Sequence, residues 1–239
     1  MTTQPLVIIT ARRGSKGILG KNWRALAGDP LVAHSIRQAL SVARPEHICV
    51  STDAPEILEI ADQFGVSPGF VRPANLSDDK ADSRSVLIHA LEKMTQLRGN
   101  SYDHVLLLQP TSPFRTRADI LGTLALYDEN IDMAVSAVET HANPYFTVFF
   151  SDEAGMLRKA IPSDMTRRQD CPKAFILNGA VFAINSRSLR AGPISRFERV
   201  RSYEMSAGSH VDLDTELDWK WAEFLLTEGM VSIESTSQL

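Results

Sequence analysis

The sequence predicts an α/β protein built on a mostly parallel central sheet covered by helices, and three observations predict it. Short apolar, β-rich runs alternate with amphipathic helical segments from Leu6 to about Val138, the pattern of strands joined by helical crossovers. Each of these runs ends in polar residues, as strands do where functional loops converge on the carboxyl rim of such a sheet. The chain has 239 residues and 44% hydrophobic content, enough to bury a substantial core as one large domain or one domain with an appended lobe.

Taken in order, Leu6 to Thr10 reads as the first strand. Asp29-Pro30 offers an N-cap and N1 pair for a helix reaching Ala43, and after a second strand, His47 to Ser51, Asp53-Ala54-Pro55 does the same for a helix to Phe64. A helix over about Ser83 to Gln96 leads to a third strand, His104 to Gln109, then a helix from Arg117 to Tyr127 and a strand from Met133 to Val138. Beyond Thr140 the texture changes. Pro144 to Phe150 is rich in aromatic and β-branched residues, Ser151 to Gly155 is turn-like, and Met156 to Asp170 is polar with Arg158, Lys159, Arg167 and Arg168. This is read as an excursion from the main sheet, an exposed β-rich arm of the kind that completes itself on another subunit, so a dimer is expected. The main domain resumes with a strand over Gly179 to Ile184 and closes with a strand carrying His210 to Asp214. Thr215 caps the final helix with Asp218 as an imperfect capping box, Gly229 marks the stop, and the polar stretch Ile233 to Leu239 is expected to fray.

Composition excludes several classes of function. A formal net charge of -4 argues against a general nucleic-acid or anionic-membrane surface, while leaving room for a local basic pocket. Two cysteines, Cys49 in an apolar run and Cys171 in a polar one, support neither a disulfide framework nor a cysteine zinc site. The apolar stretch near the N-terminus is too short for a signal-peptide core or a membrane span, so a cytoplasmic enzyme without a membrane partner is expected. The histidines show no metal-ligand spacing, His34, His89 and His104 fit structural roles, and no Gly-x-Ser-x-Gly elbow occurs. Trp219, Trp221 and Phe224 on the last helix suit core packing or a subunit contact.

The richest chemistry lies in Ala11-Arg12-Arg13-Gly14-Ser15-Lys16-Gly17 and Lys21-Asn22, directly after the first strand. Glycines let main-chain N–H groups approach phosphate oxygens, the loop amides make an anion nest, and Arg and Lys supply the countercharge a polyphosphate needs. The loop is not a P-loop: counting from Gly14, the required glycine falls on Leu19, and Lys21 is followed by Asn22 instead of a hydroxyl. A basic surface turn is the alternative. Asp212-x-Asp214 is the second signal, since residues two apart on a strand face one side. Two hard oxygen ligands there suit Mg²⁺, which takes further ligands from water and substrate phosphates; solvated turn residues or helix caps are the alternative. Arg72-Pro73 followed by Leu76-Ser77-Asp78-Asp79 forms a polar loop with a carboxylate for ligand or cap duty. In Gln109-Pro110-Thr111-Ser112-Pro113-Phe114-Arg115 two prolines bracket two hydroxyls, which suits either a preorganised substrate platform or a rigid connection.

Together with Ser51-Thr52-Asp53, Arg168-Gln169, Asn178-Gly179 and the continuation Glu216-Leu217-Asp218, these motifs resemble, in order and over nearly the whole chain, the acylneuraminate cytidylyltransferases, or CMP-sialic acid synthetases. The resemblance implies a Rossmann-like nucleotidyltransferase domain over residues 1–140 and 176–239, with a dimerisation lobe over 141–175. It implies a homodimer that joins CTP to a nine-carbon 2-keto sugar acid and releases pyrophosphate, with Mg²⁺ as cofactor. By motif position, Arg12, Lys16 and Lys21 hold the triphosphate within the loop of Gly14 and Ser15. Asn22, Arg72, Ala81 and Ser83 contact cytidine, and Asp212 and Asp214 hold the metal. Gln109 faces the sugar, and Arg168 reaches the partner's sugar site. Asp212 is the candidate for orienting or deprotonating the attacking hydroxyl, with Arg12 and Lys21 as the catalytic cations. This chain departs from the sialic acid pattern at Phe146 and Phe182, where a lysine and a tyrosine are expected. A more apolar pocket suits a deoxygenated sugar such as an N,N'-diacylated legionaminic acid. The competing readings are a nucleotidyltransferase of the same fold for a 3-deoxy-octulosonic acid or a hexose phosphate, and a nucleotide-sensing module without turnover.

Overall fold

In a computed structural model that describes residues 4–78, 80–206, 208 and 210–233, strand β1 (Leu6–Thr10) is an interior strand of the main sheet, one place in from its edge. Asp79 and the stretch after Ile233 lie outside the described residues. In chain order there follow β2 (Ala25–Leu26), β3 (Asp29–Pro30), α1 (Leu31–Leu40), β4 (Ile48–Ser51), α2 (Pro55–Gln63), α3 (Ser83–Arg98), β5 (His104–Leu108) and α4 (Arg117–Ala125). The second half contributes β6 (Met133–Thr140), β7 (Phe149–Ser151), β8 (Leu157–Lys159), β9 (Ala174–Asn185), α5 (Ser186–Ala191), β10 (Val200–Glu204) and α6 (Glu216–Thr227).

The sheet order is β10-β6-β9-β5-β1-β4. β1 pairs in parallel with β4 and β5, and β10 in parallel with β6, whereas β9 lies antiparallel between β5 and β6. The mostly parallel sheet therefore carries one reversed interior strand. Because β1 is buried on both faces, its residues part in alternation. Val7 and Ile9 join Val32 and Ile36 of α1, Ile57 of α2 and Ile120 of α4 in one core. Leu6 and Ile8 join Leu87, Leu91 and Met94 of α3 and Leu189 of α5 in the other. A third cluster seats α6 through Trp219 and Ala222 on Ile18, Leu26, Leu31 and Leu213. Among the described residues, no helix is long and apolar enough to cross a membrane.

Several expected elements shift for identifiable reasons. Asp29-Pro30 does not cap α1: it forms β3 against β2, and the Asp29 carboxylate is held by Arg37 through two hydrogen bonds of 2.9 Å. Asp53 does not cap α2, whose N-cap is Ala54, because its carboxylate accepts from the Arg13 main-chain N–H at 2.8 Å. Residues 210–214 do not make a strand. They run across the strand ends, tied by Leu213 N–H to the Thr111 carbonyl at 2.9 Å, so the apolar alternation survives without a ladder. The final helix begins as expected, with both halves of the Thr215–Asp218 capping box formed. Cys49 and Cys171 are free.

β9 begins at Ala174, earlier than the apolar run suggested, because its first residues pair with the end of β6 beyond the main sheet. Between these two extensions, residues 141–173 form the arm, with the hairpin of β7 and β8 at its tip. Asn143 organises its base: its carbonyl accepts from Phe146 and Thr147, and its amide donates to the Pro172 carbonyl at 2.8 Å.

Candidate active site

A cleft of about 280 Å³ opens at the carboxyl ends of β1 and β5, lined by Thr10, Arg12, Lys21, Asn22, Arg72, Ala81, Ser83, Leu107, Gln109 and Thr111 among others. β1 delivers Thr10 and β5 Leu107, and the loops beyond them deliver Arg12, Lys21, Asn22, Gln109 and Thr111. The segment between α2 and α3 delivers Arg72 and Ala81, with Ser83 opening α3. The structure thus gathers seven of the residues singled out in the sequence (Arg12, Lys21, Asn22, Arg72, Ala81, Ser83 and Gln109) into one concavity.

Each is fixed by a local arrangement. Lys21 and Asn22 sit on the buried turn that leads into β2. The Asn22 amide donates to the Arg12 carbonyl at 3.0 Å, which ties that turn to the loop after β1. Arg72 is held against β4 by Nη2 donating to the Ser51 carbonyl at 2.9 Å, while its Nε is buried with no hydrogen-bond partner. Burial pulls the Arg72 guanidinium below its ordinary range. A buried donor with no protein acceptor is costly, and a ligand with acceptor atoms would satisfy it. The cations of the first loop part company: Arg12 lines the cleft, whereas Arg13 turns back to Glu56 at 3.0 Å.

Opposite this wall, Asp212 and Asp214 remain exposed while Val211 and Leu213 between and before them are buried. Lys21 Nζ donates to the Leu213 carbonyl at 2.6 Å and to Asp214 Oδ1 at 3.1 Å, so the basic turn and the carboxylate segment are in contact. The Thr111 carbonyl accepts the Leu213 N–H at 2.9 Å, and the Thr111 side chain sits beside the Asp212 carboxylate. Partial burial raises the Asp212 carboxyl above the usual carboxylate range, aided by the charge of Asp214 and opposed by the Thr111 hydroxyl and Lys21. Gly17 packs so tightly on the Asp214 main chain that a Cβ there would collide with its carbonyl oxygen.

The remaining expected residues lie elsewhere. Gly14, Ser15 and Lys16 belong to the loop after β1 without lining the cleft. Phe182 on β9 pairs with Leu107, a cleft residue, and packs at the edge of the α3-side core. Phe146 and Arg168 sit on the arm, Arg168 beside a second cavity with His141, Asn143 and Lys173. Thr111 is the neighbour of Asp212 that residue type alone did not single out; its place between two prolines was the available signal. Among the described residues no cluster of three or more His, Cys, Asp or Glu forms a metal cage.

The family model described as Cytidylyltransferase matches residues 6–148. The chain is 31% identical to the CMP-N,N'-diacetyllegionaminic acid synthase of Legionella pneumophila over 92% of this chain and 95% of that protein. It is 30% identical to the N-acylneuraminate cytidylyltransferase of Escherichia coli over 93% of this chain and 52% of that protein. Among solved structures, a CMP:2-keto-3-deoxy-manno-octonic acid synthetase complexed with CTP superposes with a TM-score of 0.66 at 19% identity, covering 95% of this chain and 100% of that one.

Proposed function

The chain belongs to the cytidylyltransferase family, and on that premise we propose that it joins CTP to a nonulosonic acid, giving the CMP-sugar and pyrophosphate. One observation carries this reading: a single cleft gathers Arg12, Lys21, Asn22, Arg72 and Gln109, with the segment carrying Asp212 tied to its wall by the Leu213 N–H donating to the Thr111 carbonyl. Asn22, Arg72, Ala81 and Ser83 receive the cytidine, the partnerless Arg72 Nε finding its acceptor there. Arg12, Lys16, Lys21 and the amides of Gly14 and Ser15 hold the triphosphate, Lys21 exchanging Asp214 for phosphate. Gln109 faces the sugar, whose anomeric hydroxyl attacks the α-phosphorus in line with the departing pyrophosphate; alignment supplies most of the rate. Asp212 orients that hydroxyl and takes its proton.

Asp212 and Asp214 fit Mg²⁺, because they are exposed carboxylates two residues apart, Asp214 already binding the cation Lys21 Nζ, and they leave the further ligands to phosphate and water. When bound, the metal offsets charge on the triphosphate.

The active unit is a homodimer in the cytoplasm, where CTP is made. Phe149, Phe150, Met156 and Leu157 on the arm and Phe175 and Leu177 at the start of β9 are exposed, an apolar surface that a second copy covers. Phe146 and Arg168 stand apart from their own chain's cleft, which suits a sugar site completed by the partner's arm. The variant with Phe150→Glu and Leu157→Glu is expected to sediment as a monomer, bind CTP and lose turnover. A dimeric, active double variant removes this assembly.

Between sugars, Phe182 beside Leu107 favours a deoxygenated, diacylated acid. Offered CTP, Mg²⁺ and N-acetylneuraminic, N,N'-diacetyllegionaminic or pseudaminic acid, the enzyme is expected to show a kcat/KM at least about tenfold higher for the legionaminic acid. Pyrophosphate release with none of them redirects the assignment to octulosonate or hexose phosphate substrates.

A further inference from the structure

Arg115 is wholly buried, 1% exposed, on the loop behind the cleft. Its hydrogen-bond partners are all neutral: Nη1 donates to the carbonyls of Gln109 at 2.6 Å, Ser112 at 2.9 Å and Ala180 at 3.3 Å, and Nη2 to Ser35 Oγ at 2.6 Å. Burial draws the guanidinium down to about 9, still protonated at neutral pH. Burying a charge without a carboxylate is expensive, and a hydrophobic side chain would hold a mere turn more cheaply. What the guanidinium provides is simultaneous registration of three carbonyls by Nη1 while Nη2 anchors the group to Ser35 of α1.

Those carbonyls bracket the parts of the loop that meet substrate. Gln109 lines the cleft, and its Oε1 lies 3.0 Å from where a Cβ at Gly179 would stand, so that side chain is confined between its own loop and β9. Thr111 lies between the gripped Gln109 and Ser112, its carbonyl accepts the Leu213 N–H at 2.9 Å, and its side chain sits beside Asp212. From α1, Gln38 grips the same loop at the Pro113 and Arg115 carbonyls, at 3.1 and 2.7 Å.

We propose that Arg115 is a positioning residue that sets Gln109 toward the sugar and, through Thr111, sets Asp212 toward the attacking hydroxyl, so that one buried cation aligns both sides of the transfer. This rests on the reading of the cleft as a CTP and nonulosonate site.

The test is Arg115→Lys, which keeps the charge and loses the fork, alone and combined with Thr111→Val, with Ser35→Ala as the milder variant that removes only the Nη2 contact. For folded Arg115→Lys, CTP binding by calorimetry is expected within about threefold of the parent, while kcat falls about a hundredfold, the scale of a misalignment near 1 Å. Thr111→Val is expected to lower kcat in the parent and add little in the Arg115→Lys background, because both act on one path. Should Arg115→Lys not fold, Ser35→Ala is expected to show the same split, with lowered kcat and unchanged CTP affinity. A lowered Tm with kcat unchanged, effects that multiply, or a fully active Ser35→Ala when Arg115→Lys does not fold overturns the role of Arg115 alone. A parent enzyme that releases no pyrophosphate from CTP with any nonulosonic acid overturns the underlying reading and this one together.

Discussion

Asp212→Asn is expected to lower kcat by about 10³-fold, within the range a positioned general base supplies, while CTP affinity stays within about threefold. The amide keeps the shape of the carboxylate beside the Thr111 side chain, so the local geometry holds. The sign of the stability change separates this outcome from damage to the fold. Because the folded-state pKa of Asp212 is raised, its ionised form costs stability at pH values above that pKa, and a neutral amide removes the cost. The variant is therefore expected to melt at or above the parent temperature at pH 7 while being nearly inactive, a pairing typical of catalytic carboxylates. Pyrophosphate-release rates and thermal melts check both halves, and a near-normal rate strips Asp212 of the role.

Gly17→Ala is expected to be nearly as damaging to turnover for a different reason. The new Cβ would strike the Asp214 carbonyl oxygen and stand 3.0 Å from its carbonyl carbon, and neither main-chain atom can rotate away. The loop after β1 and the segment carrying Asp212 and Asp214 must then separate, which pulls Lys21 from its contact with Asp214. An expected loss of about 10²-fold in kcat/KM for CTP follows from misplacement of this size, with about 1–3 kcal/mol of stability. Gly192→Ala, where a Cβ meets nothing within 4 Å, is the matched control. A Gly17→Ala enzyme with parental CTP kinetics shows that the two sides of the site do not need this close approach.

Much of the fold was legible because its signals are local. β1 and β5 are unbroken apolar runs buried on both faces, and the Thr215–Asp218 box announces α6. The caps at Asp29 and Asp53 were misread because a carboxylate at a helix start also answers to distant donors, here Arg37 and the Arg13 N–H. The reversal of β9 is a matter of long-range pairing, to which its own apolar alternation is indifferent, and its exposed first residues pair with the end of β6 where the arm rejoins the sheet. In the site, glycines, cations and paired carboxylates carried enough chemistry to find the cleft. Arg115 did not declare its burial, because its partners are mostly main-chain carbonyls that any sequence possesses.

The reversed strand has a consequence for the order in which the chain can fold. β5 has β1 on one side and β9 on the other, β6 joins the sheet only through β9, and β10 only through β6. A chain emerging from the ribosome can therefore assemble β4, β1 and β5 early, but it then carries β5 as an open, apolar edge until residues 174–185 have been made. Such an edge is a template for pairing with the wrong partner. Closing it unites β9, β6 and β10 with the waiting half-sheet across a long sequence separation, which makes this the slow and aggregation-exposed step of maturation.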